Sequence, residues 1–418
     1  MSSATHNAID AVWRIESARL IAGLTRIVRD VAAAEDLAQD ALVAALEQWP
    51  QSGIPEKPGA WLMATAKHRG IDALRRRVVL ERKRALIGRE LEILEQLDRP
   101  DLAAQVEDVN DDVLRLIFMT CHPVLSRQAR VALTLRLLGG LSTPEIARAF
   151  LVSEGTVAQR IVRAKRTLTE AHVPFEVPSR DELGKRLSAV LEVIYLVFNE
   201  GYAATAGETW IRPELCADAL RLGRILAALM PREAEVSGLL ALMELQASRL
   251  RARTGPEGEP LLLADQDRAR WDHLLVQRGL AALRRAEDCS EALGPYTLQA
   301  AIAACHARAR SVEETDWPRI VALYDGLAAL TGSPVVELNR AVAVTMAFGP
   351  EAGLELIDAL ADEPALRGYH LLAGVRGDIL VRLGRLGEAR EEFERAAEMC
   401  GNARERELLL SRAIACEA

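Results

Sequence analysis

Aromatic side chains are scarce, at 4% of 418 residues, and runs that alternate apolar with polar residues are nearly absent. The few β-branched stretches, such as Val78–Leu80, are too short to build a sheet. The chain therefore reads as all-α. No apolar run approaches the roughly 20 residues that a membrane span needs. The opening stretch Met1–Arg14 carries Asp10 and no apolar core, so no signal peptide is read, and a cytoplasmic chain with no membrane contact is expected. The six cysteines are scattered, at Cys121, Cys216, Cys289, Cys305, Cys400 and Cys416. None forms a CxxC pair, which argues against a disulfide framework or a zinc knuckle. Most are expected to be small core residues, and no metal or cofactor is expected.

Charge of one sign is also short where it would be wanted for a nucleic-acid partner: the formal net charge is −8. The distribution changes that picture. Between Ser126 and Glu170 stand Arg127, Arg130, Arg136, Arg148, Arg160, Arg163, Lys165 and Arg166, against only Glu145, Glu154 and Glu170, a local net of +5. Phosphate contact needs a local basic stripe rather than a basic chain.

Helical periodicity runs throughout. A first region, residues 1–80, is interrupted by the loop Pro50–Gly59. A charged stretch, 81–112, reads as a partly helical linker. A second region spans 113–172. The prolines Pro174 and Pro178 then break the pattern, and Ser179-Arg-Asp-Glu182 reads as a capping box opening a third region, 179–418. Near its end Phe348-Gly-Pro-Glu-Ala352 resembles Leu383-Gly-Arg-Leu-Gly-Glu-Ala389. The turn glycines Gly349 and Gly384 lie 35 residues apart, close to the tetratricopeptide period of about 34.

Within the second region, Ser142-Thr-Pro-Glu145 is a capping box with proline in the first turn, so a helix starts there. Leu151-Val152 makes a short turn, and Ser153 caps a second helix. In that helix Val157, Ile161, Ala164 and Leu168 form one apolar stripe. Thr156, Gln159, Arg160 and Arg163 face away from it, where a recognition helix presents its base-reading side chains. Arginine pairs with guanine and glutamine with adenine in the major groove. Lys165 and Arg166 suit phosphate. A plain helical hairpin with a charged outer face fits the same pattern; the basic stripe weighs toward DNA.

In the first region Glu35-Asp-Leu-Ala-Gln39-Asp40 opens a helix running to Trp49. A second stretch, Ala60 to Arg77, contains Trp61, His68, Arg75 and Arg76. Taken singly, each is explained by the helix dipole, which favours acids at a start and bases at an end. Aromatic faces also stack on unpaired bases while arginine tracks a nucleic-acid backbone.

Taken in this order, the two segments and the helix-turn-helix resemble the extracytoplasmic-function sigma factors of the sigma-70 family. The wording from Ser153 to Lys165 resembles their −35-reading helix. The resemblance implies that Asp36 and Gln39, with Asp40 beside them, match the motif that docks on the β′ clamp helices of core RNA polymerase. It implies that Trp61, His68, Arg75 and Arg76 meet the −10 element of promoter DNA. Two departures stand out: the family commonly has glycine where Leu151 stands and asparagine where His68 stands. A positive φ at Leu151 would cost on the order of 1 kcal/mol. The likeness covers roughly 8–80 and 113–170.

The third region contains Asn199-Glu-Gly-Tyr202, Ala264-Asp-Gln-Asp-Arg268, Trp271-Asp272, Gly294–Ala301 and Leu338-Asn-Arg-Ala341. It resembles the tetratricopeptide-like extension of one sigma subgroup, which implies regulation in cis or a protein or small-molecule partner. Glu200, Asp265 and Asp267 offer carboxylates for acid–base or metal chemistry, but only His273 stands near them. With Arg268 and Arg270 as partners, a structural polar network is the expectation. His306 and His370 read as packed or surface residues, and Cys121-His122-Pro123 as a helix-ending turn. The chain is thus expected to be a non-enzymatic transcription initiation factor. The alternative is a conventional helix-turn-helix transcription regulator with a partner- or ligand-binding array.

Overall fold

The computed structural model describes residues 3–68, 106–150, 152–256, 258–290 and 292–417. Arg75, Arg76 and Leu151 lie outside the described residues, as does residues 81–105 of the expected linker. Among the described residues there is no strand, only helices and two isolated bridges. No described helix is long and apolar enough to cross a membrane. The chain divides into two units, Met1–Ile194 and Tyr195–Ala418.

The first unit begins with α1 (Ser3–Val28) and α2 (Val31–Ser52). Asp30 ends the break between them by accepting the Ala33 N–H at 2.9 Å, as an N-cap does. Alanines Ala34, Ala38, Ala41 and Ala45 are fully buried along α2. Their small side chains let it lie close against α1, where Leu20, Ile21 and Leu24 supply the bulk. The chain is helical again from 58 to 68 (α3). There Trp61 packs edge-on against the buried Trp49, with ring centroids 5.2 Å apart.

Helix α4 (Val106–Thr120) starts inside the stretch expected to be linker. It packs on α1 and is anchored by buried Asp112, which pairs with Arg26 at 3.2 Å and Arg115 at 2.7 Å. Three further helices follow: α5 (Arg127–Leu137), α6 (Thr143–Ala149) and α7 (Glu154–Glu170). Cys121-His122-Pro123 is the turn after α4, and Cys121 is buried. Helix α8 (Arg180–Tyr202) begins directly after Ser179, and the boundary between the two units falls within it.

The second unit is a succession of helices: α9 (Pro213–Leu229), α10 (Ala234–Ala247), α11 (His273–Cys289), α12 (Pro295–Arg308), α13 (Trp317–Thr331), α14 (Pro334–Phe348), α15 (Pro350–Ala359), α16 (His370–Arg382), α17 (Leu386–Met399) and α18 (Ala403–Ala415). Helix α10 is buried on every side from Val236 to Leu245 and is the centre of its neighbourhood. It crosses α12 so closely that a Cβ at Gly238 would meet the Thr297 backbone nitrogen at 2.8 Å. Glu235 fixes that crossing by accepting from the Tyr296 and Thr297 N–H groups at 2.8 and 3.1 Å. A carboxylate at a helix start satisfies orphan amides and the dipole together. The two expected turn glycines both take positive φ, +103° at Gly349 and +73° at Gly384, each between a helix and its successor. That is a backbone state glycine enters without steric cost.

Candidate nucleic-acid interface

Helices α6 and α7 form the helix-turn-helix. Ser142 donates its N–H and its hydroxyl to Glu145 Oε2, both at 2.7 Å, and its hydroxyl accepts the Glu145 N–H at 3.4 Å. This is the reciprocal capping box read from the sequence. Arg14 of α1 adds an ion pair to Glu145 at 2.8 Å. Burial works against ionisation of Glu145, but the Ser142 donors and Arg14 outweigh it and hold the carboxyl below its usual range. At the start of α7 the Ser153 hydroxyl accepts the Thr156 N–H at 3.1 Å. Val157, Ile161, Ala164 and Leu168 are buried as one stripe. The result is a helix-turn-helix DNA-reading unit, with the outer face of α7 turned to solvent.

The side chains on that face differ in how far they are committed. Thr156 is tied to the cap, its hydroxyl 2.8 Å from Ser153 Oγ. Arg166 is exposed and paired with Glu170 at 2.6 Å. Lys165 is only 15% exposed and forms an ion pair with Glu35 of α2. The same carboxylate accepts Arg136 Nε at 2.6 Å and the Gln39 amide at 2.6 Å. Arg127 and Arg130 both lean on Glu192, at 3.0 and 3.6 Å. Gln159 and Arg163 are exposed and Arg160 is half-buried. Neither arginine makes an ion pair among the described residues.

Most of the basic stripe counted in the sequence is therefore neutralised inside its own unit. On α7, Arg160 and Arg163 are the cations without an ion pair among the described residues. Beside them Val162 is 64% exposed, an apolar side chain on a polar face that the sequence reading passed over. Glu35 was passed over as well. Its place on the α2 stripe, four residues after Val31 and three before Ala38, marked it as facing inward.

The candidate polymerase-docking residues lie together on α2. Asp36 and Asp40 are exposed and Gln39 is half-buried against Glu35. Partial burial pushes the Asp36 carboxyl up; Lys165 opposes this, while Glu35, Asp40 and Asp30 add to it. Trp61 is half-buried on Trp49, and His68 is exposed at the end of the described part of α3.

In the second unit, Asp267 and Glu200 are engaged within the fold. Asp267 accepts the Ala269 N–H at 2.9 Å as the cap of a short turn. Asp265 is exposed. Glu200 pairs with Arg212 at 2.6 Å. Arg268 does not bridge either aspartate; it donates to the His306 and Ala309 carbonyls at 2.6 and 2.7 Å.

Residues 15–78 match sigma-70 region 2, residues 115–168 match sigma-70 region 4, and residues 186–287 match a family of unknown function, DUF6596. The uncharacterised protein R00370 of Rhizobium meliloti is 45% identical over 386 residues, covering 91% of this chain and 89% of that protein. The ECF RNA polymerase sigma factor SigL of Mycobacterium tuberculosis is 29% identical over 144 residues, covering 34% of this chain and 76% of that protein. The chain carries the region 2 and region 4 domains of the sigma-70 family followed by a helical DUF6596 region, and it is distantly similar to an ECF RNA polymerase sigma factor. Sigma factors direct RNA polymerase and bind promoter DNA; they are not enzymes.

Proposed function

We propose that residues 1–80 dock on core RNA polymerase and open the −10 element, that α7 reads the −35 element, and that residues 179–418 regulate the factor in cis or through a protein or small-molecule partner. The protein then works in the cytoplasm, where its polymerase is. The observation that carries the −35 assignment is the pair Arg160 and Arg163, the basic side chains of α7 that no carboxylate holds among the described residues. Arg160, Arg163 and Gln159 contact base edges, and Val162 meets a thymine methyl group. Thr156, next to the helix start, and Arg166 contact phosphates. Lys165 reaches a phosphate only once its pair with Glu35 has opened.

Asp36, Gln39 and Asp40 form the acidic surface for the polymerase clamp. Trp61 and His68 face the −10 strand, with Arg75 and Arg76 following. Run-off transcription with purified core polymerase tests the whole assignment. The native chain should give a promoter-dependent transcript, and Asp36→Lys with Gln39→Ala should abolish both core binding and transcript. A conventional regulator would keep its DNA binding and show no core binding in either form, which would overturn the assignment.

A further inference from the structure

Three arginines of the second unit stand together without an ion-paired carboxylate among the described residues. After α10 the chain makes a tight turn, Leu250–Ala252, that sets Arg249 and Arg253 on one side. Both meet Tyr202. The Arg253 guanidinium carbon lies 3.8 Å from the centre of its ring and that of Arg249 5.8 Å. Arg249 donates to the Tyr202 hydroxyl at 2.6 Å, and Arg253 to the Tyr202 carbonyl at 3.1 Å. Trp210 flanks Arg253 at 5.3 Å. Trp271 lies 5.7 Å from Arg249 and 5.1 Å from Arg268. The row is thus Arg253, Tyr202, Arg249, Trp271, Arg268.

Two other arginines of this unit do meet an acid: Arg212 meets Glu200, and Arg224 meets Glu244. In this row none does among the described residues, and Glu313 and Glu314 influence Arg268 only from a distance. Ring faces recover part of the hydration a guanidinium loses, but they carry no net negative charge. The row is also rich in unmet donors. Arg253 Nε, Trp210 Nε1 and Trp271 Nε1 are buried without a hydrogen-bond partner, as is His306 Nδ1. A buried donor without a partner is costly and marks a place where a ligand is wanted. Burial, with the charges of Arg249 and Arg268, pushes His306 down to about 4, which fits a positive field around the row.

We propose that Arg249, Arg253 and Arg268, with the indole N–H groups of Trp210 and Trp271, form a binding site for a small phosphate-bearing anion. Guanidinium groups match phosphate oxygens as planar forks. A carboxylate offers two oxygens and one charge. A phosphate group offers three or more oxygens and close to two charges at neutral pH, the better match to three cations and extra N–H donors. The site also gives a role to the sequence segments around Tyr202, Arg268 and Trp271, which promoter reading does not use. It does not depend on the promoter assignment.

Thermal unfolding of the full chain tests the site. Inorganic phosphate, pyrophosphate and a phosphate monoester such as glycerol phosphate are compared with chloride at matched ionic strength. At about a hundredfold excess over Kd, the second unit's transition should rise by roughly 5–10 °C. The arm with the largest rise separates a free phosphate from a phosphorylated metabolite. Arg249→Gln, at a half-exposed position, should remove the rise while circular dichroism stays native. Titration calorimetry on native and Arg249→Gln chains reads the same loss directly, including where Arg253→Gln fails to fold. The proposal is overturned if no phosphate species exceeds chloride, if Arg249→Gln keeps the full rise, or if only oligonucleotides give one.

Discussion

In the first unit Arg136 and Lys165 close on Glu35 while Arg127 and Arg130 close on Glu192. In the second, Arg249 and Arg253 stand against Tyr202 and pair with no acid among the described residues. The same residue type thus does two different jobs. A cation with a buried carboxylate is part of the scaffold, and a count of positive charge overstates what it offers a ligand. A cation left on a ring face, or on an open helix face as at Arg160 and Arg163, keeps its charge for something outside the chain. Counting charges along the sequence merges these cases; pairing them in space separates them.

The largest expected effect lies on the scaffold side. Arg136→Met leaves the buried Glu35 with one cation fewer, and losing one partner of a buried pair costs about 3–5 kcal/mol. Chemical denaturation should show that loss in the first unit, and adding Glu35→Gln should recover much of it. Promoter reading comes next. Arg160→Ala or Arg163→Ala should each cost about 1–3 kcal/mol, or roughly five- to 150-fold in affinity. Arg127→Ala, whose partner is Glu192, should change DNA affinity by less than about threefold, since a surface pair contributes little. Equal losses at Arg127 and Arg163 would break the distinction between paired and open cations.

A smaller effect with the opposite sign is expected in the second unit. Without phosphate, Arg249→Gln should leave the unfolding temperature unchanged or raise it, because an unanswered charge is removed. A marked fall would show that the ring contacts alone stabilise the guanidinium.

Two further effects are read by pH. The unfolded His306 takes up a proton near 6.5, and the folded one only near 4. The unfolded state therefore binds more protons across that window, and the second unit should lose stability as pH falls from 6.5 towards 4. His306→Gln should flatten that slope. Glu145 acts in the same direction lower down. Its folded pKa lies below the usual 4.5, so its contribution is present above 4.5 and lost as pH falls through the folded value. Glu145→Gln should remove that acid limb from the first unit's unfolding profile.

The elements of this protein were legible in its sequence because their signals are local. The capping box at Ser142 and Glu145, the Ser153 cap, the stripe from Val157 to Leu168 and the glycines Gly349 and Gly384 each act within a few residues. Short-range hydrogen bonds and steric limits decide them wherever the chain goes next. The resemblance to a family added the order of modules. Which cations are spent was decided only by the tertiary structure. Glu35 and Lys165 are 130 residues apart in number, and Arg14 and Glu145 are 131 apart. Arg249 meets a tyrosine 47 positions earlier. Coulomb attraction and desolvation depend on distance and burial in space, and neither is written in the spacing of residues along a chain.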